Sequence, residues 1–367
     1  MEESPYQHSE TDINLYSVGP PLQILGAMEA RETFPAKRHV LLLRRAGEHR
    51  TEHNQQVKRL ISLGAWDEIL SWPPRNRTRA SLHSNTRKFC IALQKRLRER
   101  SLRLLIGGFN QYSSHLLRST LDPVHTVMLD DGTATLHHFE NYLSINQFHP
   151  DWAEHFDPRK GLINKLRAIR SGINFAKLQE PLDVFTCFDI EIPKHCQARI
   201  FSHSFRNLAG LCELQKQCRQ KAFYFGSPLS EYGIVSKETE YSFIKKIFRH
   251  YSSKDIQATY ITHRDDGSSK IDSLKHAGLA TRSLGMPAEV YFATASEVPA
   301  ILASSFSTAL HNVSKICPDL KTEAFPIPER HFLRKAQAAY TVLEHFRSNG
   351  IRIIDVDVET DGKSAFA

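Results

Sequence analysis

The sequence predicts an α/β protein built from two successive parallel-sheet halves. Short apolar runs alternate with stretches of helical spacing, the signature of βα units. The alternation weakens over residues 180–218 and then resumes, which marks a crossover. The length of 367 residues also exceeds what one hydrophobic core usually supports. The expected division is an N-terminal half over 1–190, a crossover over 191–217 and a C-terminal half over 218–367.

Each element has its own reason. Ile13–Val18 is a short apolar strand that runs into Gly19-Pro20-Pro21. Proline is well tolerated in a first helical turn, and Leu22–Ala30 continues with helical spacing. His39–Leu43 reads as a second strand, Val57–Leu63 and Arg87–Glu99 as helices, and Leu102–Ile106 as a strand before Gly107-Gly108. Val124–Leu129 is a strand that ends on Asp130-Asp131-Gly132. Asp151–Leu178 carries scattered aromatic and basic residues without a clear period, and Leu182–Ile190 reads as a strand. The second series opens with the strand Ala222–Phe225 and the turn Gly226-Ser227-Pro228. Ser236 is placed to cap a helix reaching about His250, with Glu238 and Glu240 near its positive end. Ile256–Ile261 is a strand that closes on Thr262-His263-Arg264, while Ala288–Ala293 and Ile351–Val358 are expected to be further strands.

Composition excludes several classes. Hydrophobic residues at 41% and charged residues at 24% describe a folded protein, not a fibrous or low-complexity one. No apolar run approaches the roughly 20 residues that span a bilayer, and Met1–Ser9 is acidic and polar rather than signal-like. A cytoplasmic location is therefore expected. The net charge of +8 is spread along the chain, so nucleic acid is not an expected partner. The densest run, Lys95–Arg103, reads as the solvated face of a helix, and the basic surface suits anionic substrates or peripheral contact with an inner membrane surface. Six cysteines form no CxxC pair. The loose run from Cys187 to Cys218, with His195 and His203, is the only zinc-like grouping, and it reads first as idle thiols.

Four places could carry chemistry. Asp130-Asp131-Gly132 sits at the carboxyl end of a buried strand, where adjacent acids can raise one pKa toward that of a general base, although Asp-Gly is also a common turn. His263-Arg264 closes a strand of the second half, where an imidazole and a guanidinium can bind phosphate. Ser307-Thr308 offers hydroxyls and free backbone N–H groups at a strand-to-helix junction, or simply a helix cap. Asp355 and Asp357 have the spacing of a metal-binding Asp-x-Asp pair, but alternation with Ile354, Val356 and Val358 favours the polar face of a half-buried strand.

Taken in order, these segments resemble the bacterial lipooligosaccharide sialyltransferases and the related capsular polysialyltransferases. Gly19-Pro20-Pro21-Leu22-Gln23 is similar to the family's N-terminal Pro-Leu-Gln segment, and Leu129-Asp130-Asp131-Gly132 to its acidic-acidic-Gly motif. Phe225-Gly226-Ser227-Pro228 resembles its second-domain opening, His263 its His-Pro motif, and Phe306-Ser307-Thr308-Ala309 its paired-hydroxyl motif. The resemblance implies a GT-B architecture of two Rossmann-like domains with the active site in the cleft between them. It implies an inverting, metal-independent transfer from CMP-sialic acid to a lipooligosaccharide or capsular glycan, with no cofactor beyond the donor. The N-terminal domain would be the acceptor side and the C-terminal domain the nucleotide-sugar side. By position, Asp131 would be the base, tuned by Asp130, and Gln23 a residue of the cleft. His263 would bind or protonate the leaving phosphate, Ser307 and Thr308 would hold its oxygens, and Gly132, Ser227 and Arg264 would line the donor. The chain departs from the family where Arg264 replaces the proline after His263, with Asp265-Asp266 following. Two other readings compete: a related GT-B enzyme using another sugar nucleotide, and a non-catalytic protein that binds glycans or sugar nucleotides.

Overall fold

The structure is a computed structural model. It describes residues 10–44, 51–73, 79–98, 100–150, 172–212 and 216–356, together with residues 166 and 169. The chain divides into two compact units, Met1–His203 and Ser204–Ala367.

The first unit alternates strand and helix as β1 (Thr11–Val18), α1 (Pro21–Thr33), β2 (Ala36–Leu43), α2 (Thr51–Leu63), β3 (Glu68–Ser71), α3 (Arg79–Leu97), β4 (Leu102–Ile106), α4 (Tyr112–Leu121), β5 (His125–Leu129), α5 (Ala134–Asn141), β6 (Asp183–Thr186) and β7 (Ile200–Ser202). Its sheet runs β3-β2-β1-β4-β5-β6-β7 with every pairing parallel. A parallel sheet is covered on both faces, which is why β4 and β5 are buried along their whole length. On one face Leu15, Leu104 and Ile106 pack with Cys90 and Leu93 of α3 and Leu116 and Leu117 of α4.

The second unit repeats the plan: β8 (Lys216–Phe225), α6 (Lys237–Ser252), β9 (Gln257–Ile261), α7 (Ser268–His276), β10 (Thr281–Arg282), α8 (Ala288–Thr294), β11 (Glu297–Ser304), α9 (Thr308–Ile316), β12 (Lys321–Ala324), α10 (Ala336–Ser348) and β13 (Arg352–Ile353). Its sheet order is β10-β9-β8-β11-β12-β13, again parallel throughout. Alternate residues of β8 face opposite cores. Ala222 and Tyr224 join Phe243, Ile244 and Ile247 of α6, while Phe223 and Phe225 join Leu310 and Val313 of α9 and Phe346 of α10. Both sheets therefore have doubly wound, Rossmann-like order, as the GT-B-like class requires. The winding reverses between β1 and β4 in the first unit, and between β8 and β11 in the second.

Several expectations are corrected. Ala288–Ala293 is helix, not strand. Pro287 occupies the N-cap position, Glu289 follows in the first turn, and a short, mostly apolar run cannot by itself distinguish the two states. The strand there is β11, whose register shifts between Pro299 and Ile301, so it lacks the even alternation that advertises a strand. Leu182–Ile190 shortens to β6 because the Cys187 N–H leaves the ladder to bond Asp130 Oδ2 at 2.8 Å. Ile351–Val358 shortens to β13; Asp355 lies exposed beyond it, and Asp357 falls outside the described residues. Of the basic run, Arg103 is not on a solvated face. It is completely buried in β4, with its guanidinium over the Phe34 ring and Nε donating to His125 Nδ1 at 3.1 Å. His125 Nε2 lies 2.8 Å from Asp183 Oδ2, which also takes Arg199, so buried charge is paired at the amino edge of the sheet. No helix among the described residues is long and apolar enough to cross a membrane.

Candidate active site

Doubly wound sheets present their loops at the carboxyl ends of the strands, and the switch point is where those loops part. In the first unit that point is occupied by one side chain. Gln23, in the first turns of α1, is buried to 1% exposure. Its Oε1 accepts the Gly19 N–H after β1 at 3.0 Å. Its Nε2 donates to the Gly107 carbonyl after β4 and to Asp131 Oδ1 after β5, the latter at 2.8 Å. Gly107 makes this approach possible, since a Cβ there would lie 2.3 Å from Gln23 Oε1. One amide thus ties three adjacent strand ends to the candidate base.

The two aspartates separate. Asp130 is 1% exposed and turned into the fold. Its Oδ1 accepts Thr186 Oγ1 at 2.6 Å, and its Oδ2 accepts the Cys187 N–H at 2.8 Å with His203 Nε2 at 3.2 Å. His203 in turn stacks on Phe185 at 4.5 Å. Asp131 is half-buried, and its N–H donates to Thr135 Oγ1 of α5 at 2.9 Å. Gly132 has φ +66°, the left-handed region that favours glycine, and turns the chain from β5 into α5.

Of the zinc-like run, the structure brings Cys187 and His203 to Asp130, with ligand atoms within 4.8 Å of one another. Both Asp130 oxygens already accept hydrogen bonds, which accounts for the group as a buried, satisfied carboxylate. The remaining cysteines disperse: Cys196 Sγ meets the Leu143 carbonyl, Cys218 Sγ meets Glu297, and Cys212 Sγ lies 3.5 Å from Cys317 Sγ.

In the second unit, residues from three adjacent strand ends share the carboxyl edge. Gly226 and Ser227 follow β8, His263 and Arg264 follow β9, and Ser307 and Thr308 follow β11. Gly226 must be small, because a Cβ would strike the Tyr260 hydroxyl at 2.1 Å. Ser304 Oγ donates to the Phe225 carbonyl at 2.9 Å and accepts the Ser307 N–H at 3.2 Å, so it welds the loops on either side of the switch point. Ser307 is the N-cap of α9 without a capping side-chain bond, and Thr308 opens the helix. The first and second loops are joined through Lys270 of α7. Its Nζ donates to the Ser227 carbonyl at 2.9 Å, to Asp266 Oδ1 at 2.9 Å and to Glu240 Oε1. Asp266 Oδ2 accepts the His263 N–H at 2.8 Å. Burial first, then the Arg264 guanidinium, holds the His263 imidazole below its ordinary pKa.

Sequence reasoning missed Lys270, Thr186, Thr135 and Glu289. The last is buried at the start of α8, where burial pushes its carboxyl up while Asn312 Nδ2 bonds it at 2.7 Å. Glu240, read as a partner of the helix dipole, is instead an ion partner of Lys270. None of these carries a motif; Thr186, Lys270 and Glu289 are defined by partners distant in sequence, and Thr135 by the backbone of Asp131 four residues before it.

No family model matches the sequence, and no curated protein does. Among solved structures the chain is similar to the UDP-GlcNAc 2-epimerase of Neisseria meningitidis bound to UDP-GlcNAc, with TM-score 0.48, 9% identity and coverage of 94% of this chain and 87% of that one. It is similar to a ugt transferase from Siraitia grosvenorii in complex with UDP, at TM-score 0.42, 10% identity and 92% coverage of each chain. A glycosyl transferase family 9 structure from Veillonella parvula has TM-score 0.37 and 10% identity, covering 96% of this chain and 88% of that one. Strand order and parallel register, rather than these likenesses, establish the fold.

Proposed function

We propose that the protein is a glycosyltransferase that uses a sugar nucleotide, with CMP-sialic acid as the donor that its motif order implies. The observation that carries the reading is the Gln23–Asp131 contact at the switch point of the first sheet. A carboxylate oriented there by a saturated amide suits a base. In the reaction, Asp131 takes the proton of an acceptor hydroxyl as that oxygen attacks the anomeric carbon. The bond from that carbon to the phosphate oxygen breaks, and its electron pair leaves with the nucleotide. One displacement inverts the centre, and its transition state has oxocarbenium character. Ser307 and Thr308, at the start of α9, supply hydrogen bonds and the positive end of a helix to the departing phosphate, and His263 and Arg264 add a second set of donors.

A second donor class is favoured by one feature of this chain. Where the family has His-Pro, His263 is followed by Arg264, Asp265 and Asp266, which changes the charge beside the phosphate loop. Another sugar nucleotide is the resulting alternative. The test is direct: incubate the protein with CMP-sialic acid and, in parallel, UDP-hexoses, with and without glycan acceptors, and measure nucleotide release and binding of CMP and UDP. Acceptor-dependent CMP release supports sialyl transfer. UDP release replaces the donor, and binding without release supports the non-catalytic reading.

A further inference from the structure

We propose that Asp266 and Lys270 are positioning residues for His263, holding it so that Nε2 carries the ring proton and donates to the phosphate of the nucleotide. This rests on the reading above that His263 meets the donor.

In the His-Pro form of the motif, a proline stiffens the chain after the histidine; here Arg264 leaves that backbone free to rotate. The restraint is supplied by side chains instead. Asp266, whose side chain is fully buried, is its centre. Its Oδ2 accepts both the His263 N–H at 2.8 Å and the Tyr260 hydroxyl at 3.0 Å, fixing the loop to the end of β9. Its Oδ1 accepts Lys270 Nζ, which reaches on to Glu240 of α6, the Ser227 carbonyl after β8, and Glu231 at 3.5 Å. The turn closes with the Asp266 N–H on the His263 carbonyl at 3.0 Å.

Within this turn the Asp265 N–H donates to His263 Nδ1 at 3.1 Å. A backbone donor makes Nδ1 an acceptor, and a neutral imidazole then bears its hydrogen on Nε2. A neutral Nε2–H can donate to a phosphate oxygen without first gaining a proton. The charges around the ring are Arg264 and Lys270, which depress its pKa, and Asp265 and Asp266, which raise it, with burial the largest influence. Tyr232 holds Asp265 Oδ2 at 2.8 Å, while Glu231 and Glu240 face Lys270 rather than the ring.

Nitrogen NMR of the full-length protein, with the His263 signals assigned through His263→Gln, reads tautomer and titration without any need for turnover. Two variants divide the clamp. Asp266→Asn keeps an acceptor for the His263 N–H but removes the charge, and Lys270→Met removes the cation. The wild-type ring should show the Nε2–H form alone. Lys270→Met should mix the tautomers and raise the His263 pKa, whereas Asp266→Asn should lower it. Both should cut kcat by tenfold or more and leave the KM for acceptor unchanged. Lys270→Met strands two buried carboxylates; if it does not fold, Asp266→Asn together with Glu240→Gln decides the matter. Folded variants that keep the wild-type tautomer and titration overturn the proposal. A wild-type protein that binds neither CMP nor UDP instead removes the functional reading, and the NMR result still decides the clamp.

Discussion

Adjacent acids need not share a task. Asp130 is spent on the interior, where Thr186, Cys187 and His203 satisfy it, while Asp131 accepts Gln23 Nε2 at the switch point. The strand end and the glycine made this pair legible in the sequence, and Gly132 lies in the left-handed region that favours glycine. The division of labour was not legible, because Thr186 and His203 lie 56 and 73 residues from Asp130. Lys270 was hidden because its partner Glu240 lies 30 residues away, so an ordinary i,i+4 lysine becomes informative only when Glu240 is seen beside it. Asp131→Asn keeps the size and the Gln23 contact but cannot take a proton. Its kcat should fall at least about a hundredfold with nucleotide affinity nearly unchanged, the lower range for a lost general base. Near-normal kcat in the folded variant would remove Asp131 from the mechanism.

At the scale of elements, the strands with continuous apolar runs were readable and the irregular ones were not. β4 matches its expected span, and Ser236 caps α6 by accepting the Thr239 N–H at 3.1 Å. The strand expected at Ala288–Ala293 is α8, with Pro287 at its start, and β11, which carries Pro299, had no expected span of its own. The start of α9 carries its own prediction. Replacing Ser307 and Thr308 together with alanine should weaken nucleotide binding by about 1–3 kcal/mol if two charge-assisted hydrogen bonds are lost. Unchanged binding by calorimetry would move the phosphate elsewhere. The opposite edge of the first sheet predicts acid sensitivity. Burial alone would raise the Asp183 carboxyl, but hydrogen bonds from His125 and Arg199 outweigh it and hold the group below its ordinary value. A depressed folded-state pKa adds stability above the unfolded value of about 3.9, and this is lost as pH falls through the folded value. Melting temperature should therefore drop less steeply below pH 5 in Asp183→Asn than in the wild type, from a lower start. Equal slopes would refute the assignment.

Across the whole molecule, one winding plan appears twice, and each copy puts its candidate groups on the carboxyl edge beside its own switch point. For a CMP donor the leaving group is a monophosphate, less charged than a diphosphate, so hydrogen bonds and a helix start can carry its charge. Turnover should then persist in EDTA. Activity lost to the chelator and restored by magnesium or manganese would overturn this and bring Asp355 and Asp357 forward as ligands. The end of the first unit has a mechanical side. The first unit ends on His203, whose ring is clamped by Asp130 and Phe185 and whose N–H bonds the Thr186 carbonyl at 3.0 Å. Ser204 is exposed, and Phe205, fully buried, sits at φ +52°, a costly conformation for a bulky side chain. A single residue of slack thus separates two moorings. A change at His203 is therefore felt first in the hydrogen-bond shell of Asp130, one peptide bond away from the candidate base.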